Sequence, residues 1–165
     1  MNKTKRKIFE TSMDLFAKKG YEATSIEEIT SVVGVAKGTL YYHFSTKEEI
    51  FHFLVEEGMK LLKNSIDIKT SNLEYSIDKL KAIILIQIKV IKKYENFISI
   101  LLSQIWGQEP RNIKCREYVF EYISMIENIV KEGIKKKELI EGDSSVIASR
   151  NFWVYMFNNG IQTKG

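Results

Sequence analysis

"VAKGTLYYHFSTKEEI", residues 35–50, sets apolar residues at Val35, Leu40, Phe44 and Ile50 and fills the intervals with tyrosines, lysines, threonines and a histidine around Gly38. On a helix, at about 100° per residue, residues 36–43 turn Leu40 inward together with Val35 and Phe44. The opposite arc then presents Lys37, Gly38, Thr39 and Tyr42, with Tyr41 and His43 at its edges. A helix this short needs an anchor, and the preceding residues supply one. Ser25 followed by Glu28 has capping-box spacing and opens a second short helix. Ile26, Ile29 and Val33 line one side of it, and Gly34 provides the positive φ that stops it and turns the chain. Two short helices joined across a glycine turn form a helix-turn-helix unit.

The outward arc suits a DNA groove. Lys37 reaches a phosphate or the O6/N7 edge of guanine. Gly38, lacking a side chain, lets backbone approach base edges or thymine methyls. Thr39 carries a hydroxyl and a methyl, and Tyr41 and Tyr42 offer phenolic donors on rigid arms. Phosphates are expected at Lys47, at the start of the next helix, and at the helix N-termini opened by Ser25 and Thr46. Two tyrosines flanking the arc beside cations are better explained by a reading surface than by an ordinary solvated face.

Upstream, a first helix is predicted over Thr4–Lys19, with an apolar face of Ile8, Phe9, Met13, Leu15 and Phe16 and Gly20 at its C-terminal cap. Downstream, Ser45 and Thr46 with Glu49 form a second capping box, starting a long fourth helix striped by Ile50, Phe51, Leu54, Gly58, Leu61 and Leu62. "NSIDIKTSN", residues 64–72, loses the spacing and gains turn formers, which marks a boundary. Four more helices are predicted, over Leu73–Tyr94, Phe97–Trp106, Arg111–Lys137 and Ser144–Asn159, the first striped by Leu73, Ile77, Leu80, Ile84, Ile88 and Ile91 and the middle two separated at Pro110. The expected fold class is therefore all-α. It comprises a helix-turn-helix unit over 1–47, connected by the helix from about 46 to a larger helical unit over 48–165.

Composition bounds the function. The 165 residues are 44% hydrophobic and 28% charged, and the net charge is +4, as in a globular protein with a modest bias towards acidic partners. The positive charge is concentrated: residues 1–47 carry eight Lys/Arg against five Asp/Glu, with four cations in "KTKRK" from Lys3 to Lys7. "AIILIQIKVI", residues 82–91, is about half the roughly 20 residues a membrane helix needs, and the basic N-terminus lacks the apolar run of a signal peptide. These features and a lone Cys115 predict a cytoplasmic protein without membrane association. Cys115 itself reads as a small buried hydrophobe.

The block "IFETSMDLFAKKGYEATSIEEITSVVGVAKGTLYYHFSTKEEIF", residues 8–51, resembles the tetracycline-repressor (TetR) family of bacterial transcriptional regulators. The resemblance runs through Leu15-Phe16, Gly20-Tyr21, Thr24-Ser25-Ile26, Ile29, Gly34-Val35, Lys37 to Phe44 and Thr46-Lys47-Glu48, roughly the first third of the chain. It implies a third helix in the major groove, with Lys37, Gly38, Thr39, Tyr41 and Tyr42 on bases or phosphates and His43 and Lys47 on phosphate. It also implies a homodimer reading a pseudo-palindromic operator, with half-sites about one helical turn apart. Ala36 departs from the family, which often has a capping Ser or Thr there; losing that hydroxyl costs about 1 kcal/mol of local stability.

By the same resemblance residues 65 onward are a regulatory unit that dimerises and holds a small-molecule effector. "AIILIQIKVI" and "FISILLSQIW" are apolar nearly all round and are expected to be buried, with Gln87, Ser103, Gln104 and Trp106 as polar points in an apolar pocket. Tyr118, Glu121 and Tyr122 fall close together on the next helix, and with Trp106 they suit a lipophilic cation; a neutral or acyl ligand fits as well, and a Glu121 that simply faces water is favoured over both. The run Trp153 to Phe157 predicts a self-associating face. Family members usually continue with one more helix, so two expectations stand side by side: a dimer built differently, or a regulatory unit that lacks its last helix. Enzymatic chemistry is not expected: the two histidines, His43 and His52, lie on different predicted helices, and no zinc spacing, P-loop or nucleophile elbow occurs. No cofactor or metal is called for. The alternative to a DNA-binding regulator is a small-molecule-sensing helical module that acts through protein contacts.

Overall fold

The computed structural model describes the backbone of residues 3–160 and the side chains of residues 3–154. Eight helices account for nearly all of it: α1 (Lys3–Lys19), α2 (Ile26–Val33), α3 (Lys37–His43), α4 (Lys47–Thr70), α5 (Ser76–Lys93), α6 (Glu95–Gln104), α7 (Pro110–Lys135) and α8 (Ser144–Gly160). No strand occurs among the described residues.

Local signals set the first four. Gly20 and Gly34 close α1 and α2 at φ 83° and 76°, the left-handed region that glycine enters without a Cβ penalty. At the start of α2 the Ser25 hydroxyl accepts from the Glu28 amide at 3.1 Å, but the Glu28 carboxylate pairs with Lys19 rather than closing the box. At the start of α4 Thr46 accepts from the Glu49 amide at 3.0 Å, and the Glu49 carboxylate reaches one residue further back to the Ser45 amide at 2.6 Å. Pro110 stands at the first position of α7, where its missing N–H costs nothing, and Asn112 and Glu109 form the capping box before it.

One apolar core runs through the molecule. Ile8, Phe16, Ile29, Leu40, Phe44, Ile50 and Phe51 fill the space among the first helices. Along α4 it continues through Leu54, Met59, Leu62 and Ile66 into the α5–α8 packing around Ile83, Val119, Ile126 and Phe152. Each such side chain contributes about 1.5–3 kcal/mol by leaving water. α1 also packs on α6, so the first three helices touch the remainder directly as well as through α4.

Two expectations are corrected. The boundary placed at residues 64–72 is helical to Thr70, with Ile66 and Thr70 buried. The turn-forming hydroxyls stay within the helix by donating to carbonyls one turn back, Ser65 to Leu61 and Thr70 to Ile66, a local bond that helices tolerate. The stripe expected for α5 holds only in part: Ile91 is buried and Leu80 packs against the core, but Ile77 and Ile88 are exposed and the other buried residues are Ser76, Ile83 and Gln87. In the row from Trp153 to Phe157, Trp153 is half-buried and Val154 exposed; Tyr155, Met156 and Phe157 lie outside the described side chains.

Candidate nucleic-acid interface and buried polar core

α3 is fixed by Leu40, fully buried, and by Phe44 at its C-terminal cap. Ala36 begins it with no side-chain hydrogen bond. Lys37, Gly38, Thr39, Tyr41 and Tyr42 all lie on the exposed side, Tyr42 at 84% exposure and Tyr41 at 44%, while His43 is half-buried with its ring edge-on to Tyr42 at 5.1 Å. Nothing lies within 4 Å of where a Cβ on Gly38 would stand. Packing inside the chain therefore does not require a glycine there.

The cations of this face are tethered. The Lys37 ammonium pairs with Glu27 of α2 and lies 5.8 Å from the centre of the Tyr41 ring. The hydrogen bond between them raises the lysine's pKa and lowers that of the carboxylate. Lys47 donates to the carbonyls of Tyr21 at 2.8 Å, Thr24 at 2.9 Å and Glu22 at 3.3 Å, and sits 4.3 Å from the centre of the Tyr21 ring. Its three N–H donors are thus spent on the turn between α1 and α2. Arg111 of α7 lies 4.4 Å from the same ring and pairs with Glu22. Sequence spacing could not have revealed this bracket, since Arg111 is 89 residues from Glu22.

The six residues expected around an effector do not converge. Ser103 is exposed and donates to the Ile100 carbonyl at 2.8 Å. Trp106 is 73% exposed and stacks on Trp153 at 6.3 Å. Tyr118 is half-buried beneath the Lys114 ammonium at 5.2 Å. Glu121 points to solvent and pairs with Lys63 of α4 at 2.6 Å, which holds its carboxyl below the usual range. A cation cage of Trp106, Tyr118, Glu121 and Tyr122 is therefore not formed: Trp106 precedes α7 and stacks on Trp153, the Glu121 carboxylate is drawn out to Lys63, and Tyr122 is buried.

Gln87 of α5 and Tyr122 of α7 do meet, deep between their helices. Both are at most 1% exposed. Burial pushes the Tyr122 phenol pKa up, and the neighbouring Gln87 amide opposes that push. Neither amide atom of Gln87 nor the Tyr122 hydroxyl has a hydrogen bond of ordinary geometry among the described residues. The two polar side chains are thus enclosed together while Leu85 and Ile88 of the same helix α5 face water. Burial also pushes the Cys115 thiol up to about 12, which leaves it inert. Among the described residues no group of three or more His, Cys, Asp or Glu is placed to hold a metal ion, and no helix is long and apolar enough to cross a membrane.

A short, outward-facing helix held across a glycine turn, followed by a larger helical bundle, defines a protein of the helix-turn-helix class. Residues 8–54 match the sequence profile of the bacterial regulatory proteins of the tetR family. A solved structure from Clostridium perfringens, named for the regulation of fatty acid metabolism, is 36% identical, with a TM-score of 0.88 over 93% of this chain and 83% of that one. The chain belongs to the TetR family. Among curated relatives, the HTH-type transcriptional regulator YerO of Bacillus subtilis is 30% identical over 140 residues, 81% of this chain and 46% of YerO. The biofilm operon icaADBC negative transcriptional regulator IcaR of Staphylococcus aureus is 37% identical over 76 residues, 46% of this chain and 41% of IcaR. The chain thus spans less than half the length of these curated relatives.

Proposed function

We propose that this chain is a cytoplasmic, sequence-specific DNA-binding repressor that binds a palindromic operator as a homodimer and is released by a small, largely apolar effector. Residues 1–47 read DNA and residues 48–165 sense the effector and dimerise. The observation that carries the reading is the exposed arc of α3, with a glycine that the chain's own packing does not need. Lys37, Gly38, Thr39, Tyr41 and Tyr42 contact bases and phosphates, and His43 and the N-terminus capped by Ser25 contact phosphate. Lys47, whose donors are committed to the turn, acts by fixing that turn against α4. IcaR's name as a negative regulator supports repression, and the Clostridium perfringens protein's name supports an apolar effector. Gln87 and Tyr122 are the polar points that meet such an effector's single polar group, with donor and acceptor both on offer.

The test is anisotropy titration of duplexes that the full chain selects from a randomised pool, over a salt series. A steep fall of affinity with salt is expected. Tyr42→Ala costs about 1–3 kcal/mol on the selected duplex and narrows its margin over random DNA. Equal binding of every duplex by wild type and variant would remove the groove assignment. Effector binding without any DNA binding would favour a module acting on proteins.

A further inference from the structure

A cavity of about 160 Å³ lies where α1 meets α4, α5 and α6. Phe9 and Met13 of α1, Leu62 of α4, Val90 of α5 and Phe97 of α6 wall it. It contains none of the residues proposed above for the effector. Protein interiors seldom keep voids larger than a water molecule, and an apolar space of about 150 Å³ stays dry yet accepts benzene. No charged side chain lines this one. The Ser65 hydroxyl at its edge is already committed to the Leu61 carbonyl at 2.8 Å. A water molecule needs two to four polar partners, so the chemistry selects an uncharged apolar occupant. Leu61, Ser65 and Tyr94 are exposed at the rim and leave an entrance.

Two features make the space a built one. The Phe97 ring sits so deeply against α4 that any Cβ on Gly58 would overlap it; the glycine seats this wall and keeps the ring from being pushed into the space. The opposite wall leads to α3 by ring contacts: Phe9 meets Phe53 edge-on at 6.1 Å, and Phe53 meets Phe44 at 5.2 Å. Phe44 is the buried cap of α3.

We propose that this junction cavity binds a small uncharged apolar molecule of the size of a singly substituted benzene, and that its occupancy sets the affinity of α3 for DNA through Phe9, Phe53 and Phe44. The coupling rests on the DNA reading above; the binding does not. The probe is toluene, at millimolar concentration, with the full chain. At ten times its dissociation constant toluene shifts the folding equilibrium about 11-fold towards the folded state, and its protons show NMR contacts to the Met13 methyl and the Phe97 ring. Val90→Phe and Met13→Phe each place a ring in the space, and whichever of them folds loses the toluene effect. Toluene changes affinity for the selected duplex at least fivefold, the duplex changes toluene affinity by the same factor, and the filled variant matches the toluene-saturated protein without toluene. Absence of toluene protection, or contacts elsewhere, overturns the site. Equal duplex affinity with and without toluene overturns the coupling. If the chain selects no duplex, the DNA reading and the coupling fall together, and the NMR contacts still decide the site.

Discussion

Replacing Gly38 with alanine separates what the fold requires from what a DNA groove requires. Gly38 is the second residue of α3, its φ is not positive, and a Cβ there meets nothing within 4 Å. Alanine costs less backbone entropy in a helix, by about 0.5–1 kcal/mol at interior positions. Near the N-terminus the lower end applies, a gain of about 0.5 kcal/mol. For a chain of this length each kcal/mol moves Tm by about 2–4 °C, so Gly38→Ala should melt about 1–2 °C higher. The same methyl stands on the outward arc between Lys37 and Tyr42, where backbone is proposed to approach base edges. Affinity for the selected duplex should fall by about 1–3 kcal/mol, roughly five- to 150-fold. Differential scanning fluorimetry and anisotropy on one preparation give both quantities, and their opposite signs are the signature. A Tm lowered by several degrees would mean that the fold itself needs the glycine. An unchanged affinity would mean that the arc does not meet DNA.

Other outcomes follow from the same contacts. Glu27→Gln frees Lys37 from its partner and removes a negative charge beside the arc, so DNA affinity should rise about two- to fivefold, the gain shrinking as salt is added; weaker binding in anisotropy would contradict the tether. Gln87→Leu takes the amide away from the buried Tyr122 hydroxyl and should lower stability by about 1–3 kcal/mol in guanidinium titrations while abolishing effector response; an unchanged effector response in a folded variant would remove Gln87 from the effector site. Acid should weaken the fold. Hydrogen bonds from Lys37, Lys63, Lys131 and Lys136 hold Glu27, Glu121, Glu127 and Glu132 below their ordinary value of 4.5, and the Val146 amide does the same for Asp143 below 3.8. A depressed folded pKa contributes stability that is complete above the ordinary value and is lost as pH falls through the folded value. Tm should be flat to about pH 5 and decline below about 4.5; a Tm that rises on acidification through this range would refute the pairings.

The first 50 residues were legible because their signals are local. Ser25 and Thr46 cap the helices that follow them, Gly20 and Gly34 take the positive φ that ends the helices before them, and Leu40 and Phe44 point inward from a helix too short to do otherwise. Such signals need only near neighbours in the chain. In α5 the apolar residues run almost all round the helix, so periodicity carries no phase. Long-range packing against α4, α7 and α8 chose the orientation that buries Gln87 and exposes Leu85 and Ile88. The same holds for the pairing of Glu121 with Lys63, for the three carbonyls around Lys47 and for the cavity under Phe9. The order of residues determined which helices form and which face of α3 is free. Only the packing of helices distant in sequence determined which polar groups are enclosed, because burial depends on neighbours that no local pattern specifies.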